Sequence, residues 1–132
     1  MSDLKAVLLT NSDEKVLVFS DFSVAGKDSF KSLVSLKSGG FSYNGYLVFN
    51  CYSSFLDDLE KMESDLLGDT RLEEEYHENY IKFEINRLGQ VLVSGFIVEY
   101  GEISQNMHFA FKTDQTCLKS FINSFKIALS RA

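Results

Sequence analysis

The stretch SSFLDDLEKMESDLLG, residues 53–68, is where the pattern of the chain changes. Phe55, Leu56, Leu59, Met62, Leu66 and Leu67 recur there at spacings of three and four, the period of an amphipathic helix. Ser54 with Asp57 three residues on predicts an acidic capping box at its start, and Gly68 predicts its stop. The opposite face carries Asp57, Asp58, Glu60, Lys61, Glu63 and Asp65. Working outward, the residues before this helix alternate with period two. Leu4/Ala6/Leu8 and Val16/Val18 predict two strands joined by the turn Asn11–Lys15, and residues 30–37 and 45–51 predict two more around Ser38-Gly39-Gly40.

The same order then repeats. Strands are expected at 70–75, 79–86, 91–100 and 106–112, with turns at Leu88-Gly89-Gln90 and at Gly101–Gln105. A second helix is expected over 115–130, with a core stripe of Leu118, Phe121, Ile122, Phe125 and Leu129 and a cap at Asp114 or Thr113. An offset of 62 residues sets Leu56 on Leu118, Leu59 on Phe121, Glu63 on Phe125 and Leu67 on Leu129. The strand before each helix matches as well (Leu47-Val48-Phe49 with Phe109-Ala110-Phe111). The expectation is one α+β domain over 1–132, made of two ββββα halves at about 1–68 and 69–132, with antiparallel sheets carrying both helices on one side. The topology resembles that of the whirly-type binders of single-stranded nucleic acid, a likeness of fold that carries no function by itself.

Proline is absent from the 132 residues, and 12 Phe and 6 Tyr supply a large core, so neither disorder nor an internal linker is expected. The N-terminal apolar stretch is too short for a signal peptide or a transmembrane helix, so the expected compartment is the cytoplasm. Cys51 and Cys117 are then expected to be reduced core thiols. The net charge of −6 is unevenly spread: residues 1–51 sum to 0, residues 52–102 to −9 and residues 103–132 to +3. An acidic middle third repels nucleic acid and anionic membranes and attracts a basic protein.

Catalytic constellations are weak. His77 and His108 show no HxH, HExxH or CxxC company, so no metal site is expected, and each reads as a solvated or edge histidine. Asp114, Thr116 and Cys117 lie near His108, but the first two fit helix capping, and no GxSxG elbow, P-loop or GxGxxG occurs. No cofactor is expected. Tyr43, Tyr46 and Tyr52 could form a stacking platform for bases, but the basic residues are scattered and the aromatic content suits a core. The acidic residues remain, on the predicted helix and at Glu73, Glu74, Glu75 and Glu78.

Four motifs together resemble one family. They are Lys37-Ser38-Gly39-Gly40-Phe41; Phe55-Leu56-x-x-Leu59 through Leu66-Leu67-Gly68; Ile81-x-Phe83-x-Ile85 followed by Gly89-x-Val91-x-Val93-x-Gly95; and Phe111-x-Thr113-Asp114-Gln115-Thr116-x-Leu118. Their order over about residues 29–130 is similar to the WapI-type immunity proteins of bacterial polymorphic-toxin and contact-dependent-inhibition systems. The resemblance implies a cytoplasmic antitoxin, not an enzyme, that binds the basic C-terminal toxin domain of a secreted effector and blocks its active site. Many such toxins are nucleases, for which an acidic surface would mimic the nucleic-acid backbone. Candidate toxin contacts are Asp57, Asp58, Glu60, Glu63, Glu73, Glu74, Glu75 and Glu78, with Tyr76 and Tyr80 as aromatic anchors.

Overall fold

A computed structural model describes residues 4–10 and 15–132, so Asn11–Glu14 of the predicted turn Asn11–Lys15 lie outside the described residues, while Lys15 already opens a strand. The elements follow in the order β1 (Lys5–Leu9), β2 (Lys15–Gly26), β3 (Ser29–Ser38), β4 (Phe41–Asn50), α1 (Tyr52–Asp65), β5 (Gly68–Glu74), β6 (Tyr80–Ile85), β7 (Gln90–Glu99), β8 (Gln105–Asp114) and α2 (Gln115–Ser130). The four-strands-then-helix order therefore appears twice. The strands make one open antiparallel sheet in sequence order, not two. The seam between its two halves, β4 against β5, holds two residue pairs, Phe49↔Glu74 and Asn50↔Glu73. Residues 41–47 of β4 pair with β3 alone, which leaves the other edge of that part of β4 open toward the far end of β7 and β8. The sheet curls enough for its outer strands to meet: Thr113 Oγ1 on β8 donates to the Leu9 carbonyl on β1.

Period two sorts each strand into an inner and an outer face. Ala6, Leu8, Leu17, Phe19, Phe30, Val34, Phe49, Leu72, Ile81, Phe83, Val91 and Val93 are all fully buried on the inner face. Both helices pack there. Phe19 meets Phe121 and Phe125 of α2 at ring separations of 5.9 and 5.2 Å, and Phe55 of α1 meets Phe83 at 5.5 Å. Each fully buried phenylalanine contributes about 1.5–3 kcal/mol of transfer free energy. Gly95 shows how close this packing is: a Cβ there would lie 2.3 Å from the Tyr80 carbonyl oxygen and 2.8 Å from the Phe109 ring. Gly39, at φ +60°, makes the β3–β4 turn that its sequence predicts.

Several expectations need correction. The capping box at Ser54 does not form, because α1 begins at Tyr52 and Ser54 lies inside it. Cys51 stands at the N-cap in a left-handed conformation with no side-chain cap bond. The orphan donors go instead to Asp28 in the β2–β3 turn: Oδ1 accepts from Ser53 N at 3.1 Å and Oδ2 from Ser53 Oγ at 3.0 Å. At the other end the chain leaves the helix at Leu66, at φ 55°, before Gly68 is reached. Leu67 is therefore exposed and not part of the core stripe. The 62-residue offset holds for Leu56/Leu118 and Leu59/Phe121, both pairs buried, and fails for Leu67/Leu129 because α2 runs on where α1 has stopped. Cys51 and Cys117 are free thiols, but Cys51 is exposed and not in the core. Asp114 is the cap of α2, accepting from Cys117 N at 3.1 Å.

Candidate functional site

Antiparallel order places the β3–β4, β5–β6 and β7–β8 turns at one end of the sheet, and the acidic segment after α1 is part of that rim. The alternation within β5 divides the run Glu73-Glu74-Glu75. Glu73 follows the outer face with Arg71, and the two side chains approach at 3.5 Å in an exposed pair. Glu74 follows Leu72 to the inner side. There its Oε2 accepts from Val48 N at 3.2 Å and its Oε1 from Asn79 Nδ2 at 2.7 Å. Asn79 is buried, and its Oδ1 accepts from Val98 N at 2.7 Å. Glu74 and Asn79 thus tie β4, β5 and β7 together beside the two-pair seam. The Glu74 carboxylate is engaged inside the sheet, whereas that of Glu73 faces out.

The turn beyond carries Tyr76, at φ 64° and almost fully exposed, followed by the exposed His77 and Glu78. Glu78 accepts a short hydrogen bond from the Tyr100 hydroxyl across the rim, and the rings of His77 and Tyr100 lie 6.3 Å apart. That hydrogen bond holds the Tyr100 phenol above its ordinary pKa, with smaller contributions from desolvation and the Glu78 charge. Glu75 is half-buried, with its N–H donated to the Val48 carbonyl at 2.9 Å. Tyr80 is half-buried under the Arg71 guanidinium, which sits 4.1 Å from its ring centroid, so its face is already covered.

The helix acids stand elsewhere, on the solvent side of α1. Asp58 accepts from Thr70 Oγ1 at 3.0 Å, Glu60 pairs with Lys126 at 2.7 Å, and Glu63 accepts from Gln115 Nε2 at 3.0 Å. These three bind α1 to β5 and α2, whereas Asp57 is exposed. The structure therefore does not bring the ten predicted residues onto one surface. It separates a helix group, mostly engaged within the protein, from a rim group.

The rim also brings together residues whose association no local pattern records. Between the open edge of β4 and the β7–β8 hairpin lies a groove of about 330 Å³, lined by Phe41, Tyr43, Ile97, Glu99, Asn106 and Met107 among others. Burial first, then the charges of Glu74 and Glu99, push the Tyr43 phenol above its ordinary pKa. The three tyrosines suggested as a stacking platform part company. Tyr43 faces inward; Tyr46 lies outside under Lys31 and bonded to Asp21; Tyr52 packs edge-on against Phe30. His108 is exposed on the outer face with its ring 4.6 Å from that of Phe96, so Asp114 and Cys117 do not complete a triad with it. Among the described residues no three His, Cys, Asp or Glu side chains are grouped to hold a metal ion, and no helix is long and apolar enough to cross a membrane.

A curled sheet with two helices in its hollow and an acidic, aromatic rim defines a small α+β domain organised around a surface. Residues 19–132 match the profile of the Immunity protein WapI-like family. The chain belongs to that family, as its motifs suggested. No curated protein and no solved structure shows a significant match to it.

Proposed function

We propose that this chain is an immunity protein that binds the basic C-terminal toxin domain of a secreted effector, a nuclease, and blocks its active site with an acidic surface. On this reading it acts in the cytoplasm by binding and not by catalysis, in contact-dependent competition between bacteria. Membership of the WapI-like immunity family is the observation that carries it. The charge distribution supports the sign of the partner, since residues 52–102 sum to −9. Of the predicted contacts, Glu73, Glu75, Tyr76 and Glu78 at the rim suit a partner better than the helix group, because the three glutamates flank the exposed ring of Tyr76. Bonding within the protein does not separate the groups, since Glu73 and Glu78 meet Arg71 and Tyr100 as Asp58, Glu60 and Glu63 meet Thr70, Lys126 and Gln115.

The test searches the genes flanking this one for a secreted effector and uses its C-terminal domain; finding no such effector would count against the reading. The expected result is a 1:1 complex that abolishes nucleic-acid cleavage. Its association rate should fall as salt shortens the Debye length from about 30 Å at 0.01 M to about 8 Å at 0.15 M. No complex would overturn the reading, and a salt-independent rate would overturn the acidic steering.

A second reading, a single-stranded nucleic-acid module, draws on the outer sheet face, where Lys31 and Lys82 lie near Tyr46 and Tyr80. Those groups are already matched. Lys31 covers Tyr46, Arg71 covers Tyr80, and Lys82 lies within 3.8 Å of both Asp69 and Glu84. Fluorescence polarisation with short oligonucleotides tests it, and sub-micromolar binding would reverse the ranking.

A further inference from the structure

The rim has a composition unlike the rest of the molecule. Its three strand-turn segments, residues 38–48, 72–80 and 96–107, hold six glutamates and no lysine or arginine. They also hold the most exposed aromatic side chains of the described residues: Tyr76 at 92%, Phe41 at 72% and Tyr100 at 59% exposure, with Ile103 at 81% beside them. Exposed aromatics cost solubility, and a purely solvating acidic patch has no use for them. Aromatic anchors within an acidic field are what a protein interface with a basic partner requires.

The groove adds chemistry to that composition. Phe41, Tyr43, Ile97 and Met107 supply apolar walls, and Glu99 supplies one carboxylate. Apolar walls with an acid fit a side chain that has a long hydrocarbon stem and a cationic head, such as arginine or lysine. Phe41 and Tyr43 also offer ring faces to a guanidinium. The groove exists because β4 pairs with β5 only at Phe49 and Asn50, which leaves the first part of β4 open toward β7 and β8.

We propose that the toxin docks on this three-hairpin rim and inserts a cationic side chain into the groove between β4 and the β7–β8 hairpin, against Phe41 and Tyr43 with its charge at Glu99. This rests on the immunity reading above and moves the contact away from α1. Phe41, marked in the sequence only as part of a family motif, and Glu99 and Tyr100, which no local pattern marks, are then binding residues.

The test titrates the toxin domain encoded beside this gene into the full chain and into three variants. Glu99→Lys and Phe41→Ala should each weaken binding by about 30-fold or more, the scale of an interface hot spot of about 2 kcal/mol. Asp57→Lys, on the rival helix surface, should weaken it by less than about threefold, as for a peripheral charge. Hydrogen exchange on the unmutated complex gives the same answer without relying on a variant's folding: protection is expected at 39–43, 75–79 and 99–107. Loss of affinity in Asp57→Lys alone, or protection at 57–65 in place of the rim, would overturn this proposal and leave the immunity reading standing. Failure of the unmutated chain to bind would overturn both.

Discussion

Replacing Asn79 by alanine should unfold the seam between the two halves more readily than any surface change of similar size. The side chain is 4% exposed and makes two hydrogen bonds of 2.7 Å, one from Val98 N and one to the Glu74 carboxylate. Alanine leaves the Val98 N–H without its partner, a loss of about 1–3 kcal/mol, and removes a bond to a charged group worth about 1.5–3 kcal/mol. Water can enter from the nearby rim and recover part of this, so the expected loss is about 2–4 kcal/mol. For a chain of this length that corresponds to a fall in Tm of about 6–16 °C. Asn79→Asp separates the two contributions. It keeps the acceptor for Val98 but sets a second carboxylate against Glu74. The pair then holds a proton more tightly when folded than when unfolded, so stability is gained as pH falls and lost as pH rises through the raised folded pKa. Urea unfolding followed by far-UV circular dichroism at pH 7.5 and pH 5 measures both effects. A loss below about 0.5 kcal/mol for Asn79→Ala, the range of an ordinary surface change, would refute the role given to this network.

Three further outcomes follow from the same geometry. Asp28→Ala should destabilise by about 0.5–2 kcal/mol in urea titration through loss of the α1 cap, while Ser54→Ala should change little. Gly95→Ala should cost about 1–3 kcal/mol or more in the same assay, because its Cβ meets backbone and a buried ring that cannot step aside. Tyr43 holds its proton more tightly folded than unfolded, so stability should be full below the ordinary phenol pKa of about 10 and fall as pH rises beyond it. Tyr43→Phe should blunt that alkaline fall, and Glu99→Gln should lower the phenol pKa in a 295 nm titration.

The helices and most strands were legible because their signals are local. Phe55, Leu56, Leu59 and Met62 carry the period of α1, and Ile81, Phe83 and Ile85 that of β6, within a few residues of one another. The cap of α1 was not legible, since Asp28 is 25 residues from Ser53 and only the sheet brings them together. Glu74 is a different case: reading Glu73, Glu74 and Glu75 as one patch ignored the alternation already implied by Leu72, which turns Glu74 inward. The groove could not be read locally. Phe41 and Tyr43 meet Ile97, Glu99 and Met107 only because β4 and β5 diverge beyond two residue pairs, and no spacing records where a sheet opens. The acidic middle third anticipated the rim's charge but not its aromatic content.

The most direct test of the account is growth rescue. The toxin domain encoded beside this gene is expressed in a susceptible cell together with the unmutated chain, or with a chain carrying Phe41→Ala and Glu99→Lys at matched abundance. Growth restored by the unmutated chain and lost with the double variant is the predicted result. A toxic domain whose effect the unmutated chain leaves unchanged would contradict the account.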